Sequence, residues 1–198
     1  GSAMTPIAGY APAIDLNLIT YSTVMDDHPM TMEDGSTWPR NFDNYYNGNV
    51  TIESAVKWSL NTIPAKLIME LTPERSFDFL TNSLHITTLV RSKEVNGQIL
   101  TPYYVGACWF GYDNNEEIHS SDTRYARQLC QKAMNALHEG LEAKEFTQPD
   151  TVVKAVFCQN TGLLANTGCS STGVGYYKPD NVPGYCTTHG GSPNAGIS

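Results

Sequence analysis

The sequence predicts an α/β protein of the α+β type, with a helical subdomain and a buried strand. Three observations lead to this fold class. Residues 51–80 place apolar side chains at helical spacing and carry a capping residue or a proline at the expected helix starts. Residues 122–146 form a long amphipathic pattern. Residues 101–112 are aromatic and β-branched between glycine and proline, which is typical of a buried strand.

The N-terminal quarter predicts one helix and then a long connection. Pro6 suits the first turn of a helix, and one face of that helix would carry Ile7, Tyr10, Ala11 and Ile14. Residues 20–49 are polar and rich in turn signals. We therefore expect a surface connection over this stretch.

Three short helices are predicted between residues 51 and 80. Thr51 is the expected N-cap of the first helix, and Pro64 begins the second, which runs to Leu71. A threonine–proline pair at residues 72–73 begins the third, which ends near Leu80. Short helices joined by short loops predict a helical subdomain.

The C-terminal half predicts one long helix, a strand and a tail. The apolar face of the helix at residues 122–146 carries Leu129, Cys130, Ala133, Met134, Leu137 and Leu141. A strand at residues 152–157 and a turn at residues 160–162 follow, and half of the 16 glycines lie after Cys158. The sequence therefore predicts a first domain at residues 1–150 and a small cysteine- and glycine-rich appendage at residues 151–198.

Composition argues against two classes of function. Lys and Arg number 12 against 20 Asp and Glu, and the net charge of −8 offers no basic face for a nucleic-acid partner. The apolar runs are too short to cross about 30 Å of hydrocarbon, and no secretory signal pattern is present. We expect a soluble chain whose membrane attachment, where one exists, comes from a segment outside this sequence.

Five cysteines point to the setting of the protein: Cys108, Cys130, Cys158, Cys169 and Cys186. The first two lie in apolar stretches and are expected to be buried. The other three fall in the tail, where an exported protein would use a disulfide, for example Cys169–Cys186, to hold a segment with little core. With His189 the same three cysteines could instead bind tetrahedral zinc. Both roles are structural, and no cofactor or catalytic metal is expected.

Ser59 and Asn61 are the first candidates for chemistry. They lie where one predicted helix ends and the next begins. A hydroxyl there can relay a proton, and an amide can hold a substrate carbonyl. Local capping of the helix ends is the structural alternative for the same pair.

Three longer runs surround or follow this pair: WPRNFDNYYNGNVT at residues 38–51, SLNTIPAKL at residues 59–67 and TPYYVGACWFGYD at residues 101–113. These runs resemble the transpeptidase domain of the bifunctional penicillin-binding proteins. Residues 6–15 resemble the helix that carries the nucleophile in that family. The tail is similar to the segment that follows the domain in some members.

The resemblance implies the penicillin-binding-protein/β-lactamase-like transpeptidase fold, here with a reduced antiparallel sheet, at the extracytoplasmic face of a bacterial membrane. The implied activity is serine acyl transfer on peptidoglycan stem peptides ending in D-Ala-D-Ala, with β-lactams acylating the same serine. Within the family's S-x-x-K motif the nucleophile would be Ser2, Ser59 would assist proton transfer, and Asn61 would orient the substrate amide. Alternatively, residues 1–4 derive from a cloning vector.

Two parts of that catalytic machinery are missing from the sequence. Thr5 stands where the family has the lysine that accepts the proton of the serine. The K-[ST]-G triplet, which recognises the substrate carboxylate in the family, occurs nowhere in the 198 residues. Slow or no turnover is expected, because loss of general-base help costs about 10²–10⁴ in rate. The alternative function is a non-catalytic fragment that binds peptidoglycan or a partner.

Overall fold

The computed structural model describes residues 4–86, 98–100, 105–107 and 125–193. The chain divides into two compact units. The larger comprises Pro6–Ile86 and Pro149–Ser198, and the smaller comprises Gly1–Thr5 and Thr87–Gln148. The described elements are helices and small antiparallel sheets, which is compatible with the predicted α+β class. That residues 1–150 and 151–198 form separate domains stays a prediction.

The larger unit contains the predicted helical subdomain. Its helical elements are a π-helical turn (Pro6–Tyr10), α1 (Ala11–Asp15), α2 (Ile52–Lys57), α3 (Thr62–Leu71), α4 (Pro73–Asp78) and a second π-helical turn (Phe79–Ser83). The predicted cap is confirmed, since the Thr51 hydroxyl accepts a hydrogen bond from the Ser54 backbone at 3.2 Å. Apolar residues from α1, α2 and α3 form its core, including Ala13, Ala55, Ile63 and Leu67.

The expected surface connection at residues 20–49 is wrong in part. Three short strands lie there, β1 (Val24–Asp26), β2 (Met30–Thr31) and β3 (Thr37–Trp38). β1 pairs antiparallel with β4 (Asn49–Thr51), and β2 pairs antiparallel with β3. Three polar side chains in the stretch are buried, namely Ser22, Asp27 and Asn41. Polarity predicted exposure, but hydrogen bonds satisfy these groups inside the protein.

The C-terminal part of the larger unit is built on a β-hairpin. Strands β7 (Val153–Cys158) and β8 (Thr172–Tyr177) pair antiparallel over six residues each. The sequence predicted β7 to within one residue, but its glycines concealed β8. Those glycines make room for rings: a Cβ on Gly173 would approach the Phe157 ring to 2.8 Å, and one on Gly175 would meet the Tyr177 hydroxyl at 2.3 Å.

The hairpin packs on Tyr21 and Ser22 of the same unit. The Tyr21 ring meets the rings of Phe157 and Tyr177 edge-on, with centroids 6.1 and 6.4 Å apart. The buried Tyr177 hydroxyl donates to Ser22 Oγ at 2.9 Å, and Ser22 Oγ donates to the Gly162 carbonyl at 2.5 Å. Burial raises the pKa of Tyr177, so its hydroxyl keeps its proton for this bond at neutral pH.

Tyr177→Phe is expected to lower the free energy of unfolding by about 0.5–1.5 kcal/mol, the usual value of one buried hydrogen bond. Urea unfolding followed by circular dichroism measures the change. Tyr176→Phe is the matched control, because the Tyr176 side chain is 44% exposed on the same strand. Equal losses in the two variants would show that the Tyr177–Ser22 bond does not stabilise the hairpin.

The smaller unit contains β5 (Gln98–Leu100), β6 (Val105–Ala107) and α5 (Tyr125–His138). β5 and β6 pair antiparallel. β6 lies within the predicted strand at residues 101–112, and the rest of that strand, with Cys108, lies outside the described residues. With 14 residues, α5 is too short to span a bilayer, and none of the other described helices is long and apolar enough.

α5 is shorter than the predicted helix at residues 122–146, and its buried face is narrower. Gly140 has a φ of +79°, a left-handed conformation that commonly follows a helix end. The buried residues Ala126, Cys130 and Met134 recur every four positions, which confirms the expected burial of Cys130. The prediction was wrong for Ala133, which is exposed, and for three leucines that are 40–60% exposed, Leu129, Leu137 and Leu141.

Candidate functional site

Ser59 and Asn61 lie in the short loop between α2 and α3. Leu60, between them, is only 6% exposed and fixes the loop to the core. Both neighbours are exposed as a result. Ser59 has a φ of +53°, a left-handed conformation that is uncommon for a residue with a side chain. Its hydroxyl makes no hydrogen bond to any residue that the structure describes and is therefore available to a ligand.

Asn61 is held by two hydrogen bonds to the segment before β4. Its backbone N–H donates to Asn41 Oδ1 at 2.8 Å, and its Nδ2 donates to the Arg40 carbonyl at 2.8 Å. The second Nδ2 hydrogen and the Oδ1 atom make no hydrogen bond to the described residues. The side chain is therefore oriented by the protein and still has a donor and an acceptor for a bound amide.

A buried carboxylate anchors this loop. Asp27 is fully buried and accepts hydrogen bonds from the Thr62 hydroxyl, from Asn41 Nδ2 at 2.9 Å, and from the backbone N and Nδ2 of Asn47 at 3.0 and 2.8 Å. Thr62 is the first residue of α3, and Asn41 holds Asn61. Asp27 thus connects both sides of the Ser59–Asn61 loop.

Asp27 is ionised at neutral pH despite its burial. Desolvation acts to raise its pKa, but the hydrogen bonds from Thr62, Asn41 and Asn47 outweigh this effect and lower the pKa. Sequence reasoning missed this residue, because the Asp26-Asp27-His28-Pro29 run looks like a turn on the surface. Asn41 lies in a run that carries the family resemblance, which is the only sequence signal that could have drawn attention to the network.

A cleft of about 320 Å³ opens beside the loop, and its lining includes Phe42, Asp43, Trp58 and Ser59. The rings of Phe42 and Trp58 are 99% and 68% exposed. Of the three predicted catalytic residues, Ser59 lines this cleft, Asn61 lies two positions further along the same loop, and Ser2 is outside the described residues. Their catalytic roles stay predictions.

A second cluster lies at the end of the β-hairpin and consists of Cys158, Cys169, Cys186 and His189. The structure has all three cysteines as free thiols, so the expected Cys169–Cys186 disulfide is not formed. The thiol and imidazole ligand atoms all lie within 4.8 Å of one another. The preference for a disulfide rested on the expected compartment, and the positions of the side chains in the fold favour the zinc alternative.

No family model matches the chain. Parts of it are similar to curated proteins named penicillin-binding protein 1A. The protein of Clostridium perfringens is 35% identical over 71 residues, which are 36% of this chain and 9% of that protein. The protein of Clostridium novyi is 42% identical over 65 residues, which are 33% of this chain and 7% of that protein.

A third relative, penicillin-binding protein 1A of Streptococcus oralis, is 22% identical over 223 residues and covers 96% of this chain. The match takes up 33% of that protein, so the chain spans about a third of it and less than a tenth of the two clostridial relatives. The similarities support a relationship to penicillin-binding proteins.

Proposed function

We propose that this chain is a reduced transpeptidase region of a penicillin-binding protein, acting on peptidoglycan stem peptides that end in D-Ala-D-Ala. The observation that carries the proposal is the Ser59–Asn61 loop, in which Ser59 lines an open cleft and Asn61 is exposed two positions further along. The loop is held by a buried, ionised Asp27, so its geometry is fixed before a ligand binds. The similarity to proteins named penicillin-binding supports the same function.

In the proposed reaction the Ser2 hydroxyl attacks the carbonyl carbon of the penultimate D-Ala. An ester bond to Ser2 forms, the amide bond to the terminal D-Ala breaks, and the serine proton goes to the departing amine. Ser59 relays that proton, and Asn61 orients the substrate amide. An amine of a neighbouring stem peptide then attacks the ester, a new amide bond forms, the ester bond to Ser2 breaks, and the amine gives a proton to the Ser2 oxygen. A β-lactam is attacked by the same serine and remains attached. The reaction takes place at the extracytoplasmic face, where stem peptides are cross-linked.

The reaction is expected to be slow, because Thr5 replaces the lysine that would accept the serine proton. A threonine hydroxyl does not accept a proton at neutral pH. The same residue supports the alternative function, a non-catalytic fragment that binds peptidoglycan or a partner. Covalent labelling separates the two functions.

Incubation with excess penicillin, followed by intact mass spectrometry, tests the proposal. We expect a slowly formed adduct of one penicillin per chain that peptide mapping assigns to Ser2. Ser59→Ala should slow the labelling by about 10²-fold or more, the lower end of the effect of losing proton-transfer help. Ser36→Ala is the control, because Ser36 lies in the turn between β2 and β3, away from the loop.

Thr5→Lys provides the complementary test. Restoring a base at this position should accelerate labelling by up to about 10²–10⁴-fold. If neither the wild-type chain nor Thr5→Lys is labelled, the result would contradict the transpeptidase proposal and favour the non-catalytic fragment. Co-sedimentation with purified peptidoglycan sacculi would then test binding directly.

A further inference from the structure

The Cys/His cluster brings together three segments that are far apart in the chain. Cys158 is the last residue of β7, Cys169 follows the loop after it, and Cys186 and His189 lie beyond β8. Cys158 and Cys186 are buried, and the other two are half-buried. Four soft or borderline ligands therefore meet at one partly enclosed point.

The distances from His189 to the three sulfur atoms match those of a tetrahedral ligand shell. His189 Nδ1 lies 3.5 Å from Cys158 Sγ, 3.5 Å from Cys169 Sγ and 3.3 Å from Cys186 Sγ. Around one zinc ion, with bonds of about 2.3 Å to sulfur and about 2.0 Å to nitrogen, the nitrogen-to-sulfur separation is about 3.5 Å. The three distances from His189 Nδ1 to the sulfur atoms agree with this value. A disulfide between any pair of the cysteines would leave the third thiol and the imidazole without a role.

The residues around the cluster fix its ligands. The buried Asn166 side chain donates from Nδ2 to the carbonyls of Cys186, at 2.7 Å, and of His189. The Asn166 backbone N–H points at Cys169 Sγ, 3.5 Å away. One residue thus joins the two ligand-bearing loops, as the polar partners behind the ligands of metal sites do.

From this geometry we infer that Cys158, Cys169, Cys186 and His189 bind one zinc ion. All four positions are filled by the protein, which makes the site structural, and a three-thiolate, one-imidazole set is a ligand set of structural zinc. Such a link would support the hairpin, because its core cluster among the described residues is small: Ala155, Leu164 and Tyr177, with Tyr21 and Val182 packed against them. The zinc ties the end of β7 to the loops that cover it. This inference does not depend on the proposed acyl transfer.

The first test is the metal content of the chain purified under reducing conditions without chelator. We expect about one zinc per chain by mass spectrometry of the metals. Cobalt introduced in place of zinc should give the intense visible absorption of a tetrahedral site and a sulfur-to-cobalt charge-transfer band. In the zinc-loaded chain Cys158, Cys169 and Cys186 should resist a thiol reagent until a chelator is added.

Cys186→Ser is the test variant and Cys130→Ala its control, because Cys130 is a buried cysteine on α5 and has no part in the cluster. Cys186→Ser should lose most of the zinc, and Cys130→Ala should retain it. Chelation of the wild-type chain should lower its melting temperature, and added zinc should restore it. If Cys186→Ser does not fold, the cobalt spectrum and thiol protection of the wild-type chain decide the question. A metal-free chain with a tail disulfide, or cobalt without sulfur ligands, would overturn the inference.

Discussion

Asp27→Asn is expected to lower the free energy of unfolding by about 2 kcal/mol or more, because two of the four donors, buried or partly buried, lose their acceptor at about 1–3 kcal/mol each. Each carboxylate oxygen accepts two hydrogen bonds, one oxygen from Thr62 and Asn41 and the other from Asn47. An asparagine retains one acceptor oxygen and presents an NH₂ group to the donors on the other side. The unfolding midpoint in urea, with the slope unchanged, measures the loss.

Asp34→Asn is the matched control for that measurement. Asp34 lies in the exposed turn between β2 and β3 and accepts hydrogen bonds from the backbone and hydroxyl of Ser36, at 2.9 and 2.6 Å. Hydrogen bonding lowers its pKa, as it lowers that of Asp27. Because water can replace these bonds in the exposed turn, we expect little change. Similar losses in both variants would show that burial of Asp27 contributes nothing.

The pH dependence of stability gives a second readout of Asp27. Its pKa is lower in the folded protein than the ordinary value of about 3.9, so its stabilisation is complete above that value. As the pH falls below about 4 towards the folded pKa, the carboxylate takes up a proton and the stabilisation is lost. The difference in stability between wild type and Asp27→Asn should therefore be constant at neutral pH and shrink below about pH 4. A constant difference down to pH 2 would contradict an ionised Asp27.

The Ser59–Asn61 loop was predicted from the sequence, but the hydrogen bonds of Asp27 that hold it were not. Local signals predicted the α2–α3 junction that carries Ser59 and Asn61. These signals are the cap at Thr51, the proline near a helix start at Pro64 and the apolar spacing between them. Asp27 holds the loop through hydrogen bonds to residues 14 to 35 positions away in the chain. A run of polar residues has the same sequence pattern whether its side chains are hydrated at the surface or hydrogen-bonded to one another in the interior. Local patterns therefore predicted a surface connection there.

The tail shows a related limit. The cysteines and His189 were visible in the sequence as either a disulfide or a zinc site, and only their convergence in the fold favours zinc. Gly173 and Gly175 were counted as loop signals, although they make room for rings inside β8. A high glycine content indicates a backbone with few steric restrictions. It does not indicate which side chain will fill the space beside a glycine in the folded protein.

Gly162→Ala should be the most damaging single-methyl change in the turn that joins the hairpin to Ser22. Gly162 has a φ of +73°, and a Cβ there would lie 2.2 Å from the Ser22 carbonyl oxygen and 3.1 Å from Val24 Cγ2. Backbone atoms cannot rotate away as a side chain can, so the turn must move off Ser22. That movement also strains the Ser22–Gly162 hydrogen bond and the Gly162 N–H bond to the Cys158 carbonyl at 2.8 Å. We expect a loss of about 2–4 kcal/mol, within the range of overpacking plus backbone strain.

Gly35→Ala separates the two causes. Gly35 has a similar φ of +79°, but apart from its chain neighbours no atom of the described residues lies within 4 Å of the position that an alanine methyl group would occupy there. Gly35→Ala should lower the free energy of unfolding by about 1 kcal/mol, which is the penalty of a left-handed alanine alone. Gly162→Ala carries the same backbone penalty. The excess loss in Gly162→Ala then measures the close contacts with Ser22 and Val24. Thermal unfolding of the two variants under identical buffer and metal conditions gives the comparison. Equal shifts in melting temperature would mean that the turn is not packed against Ser22 and Val24, because these contacts distinguish Gly162 from Gly35.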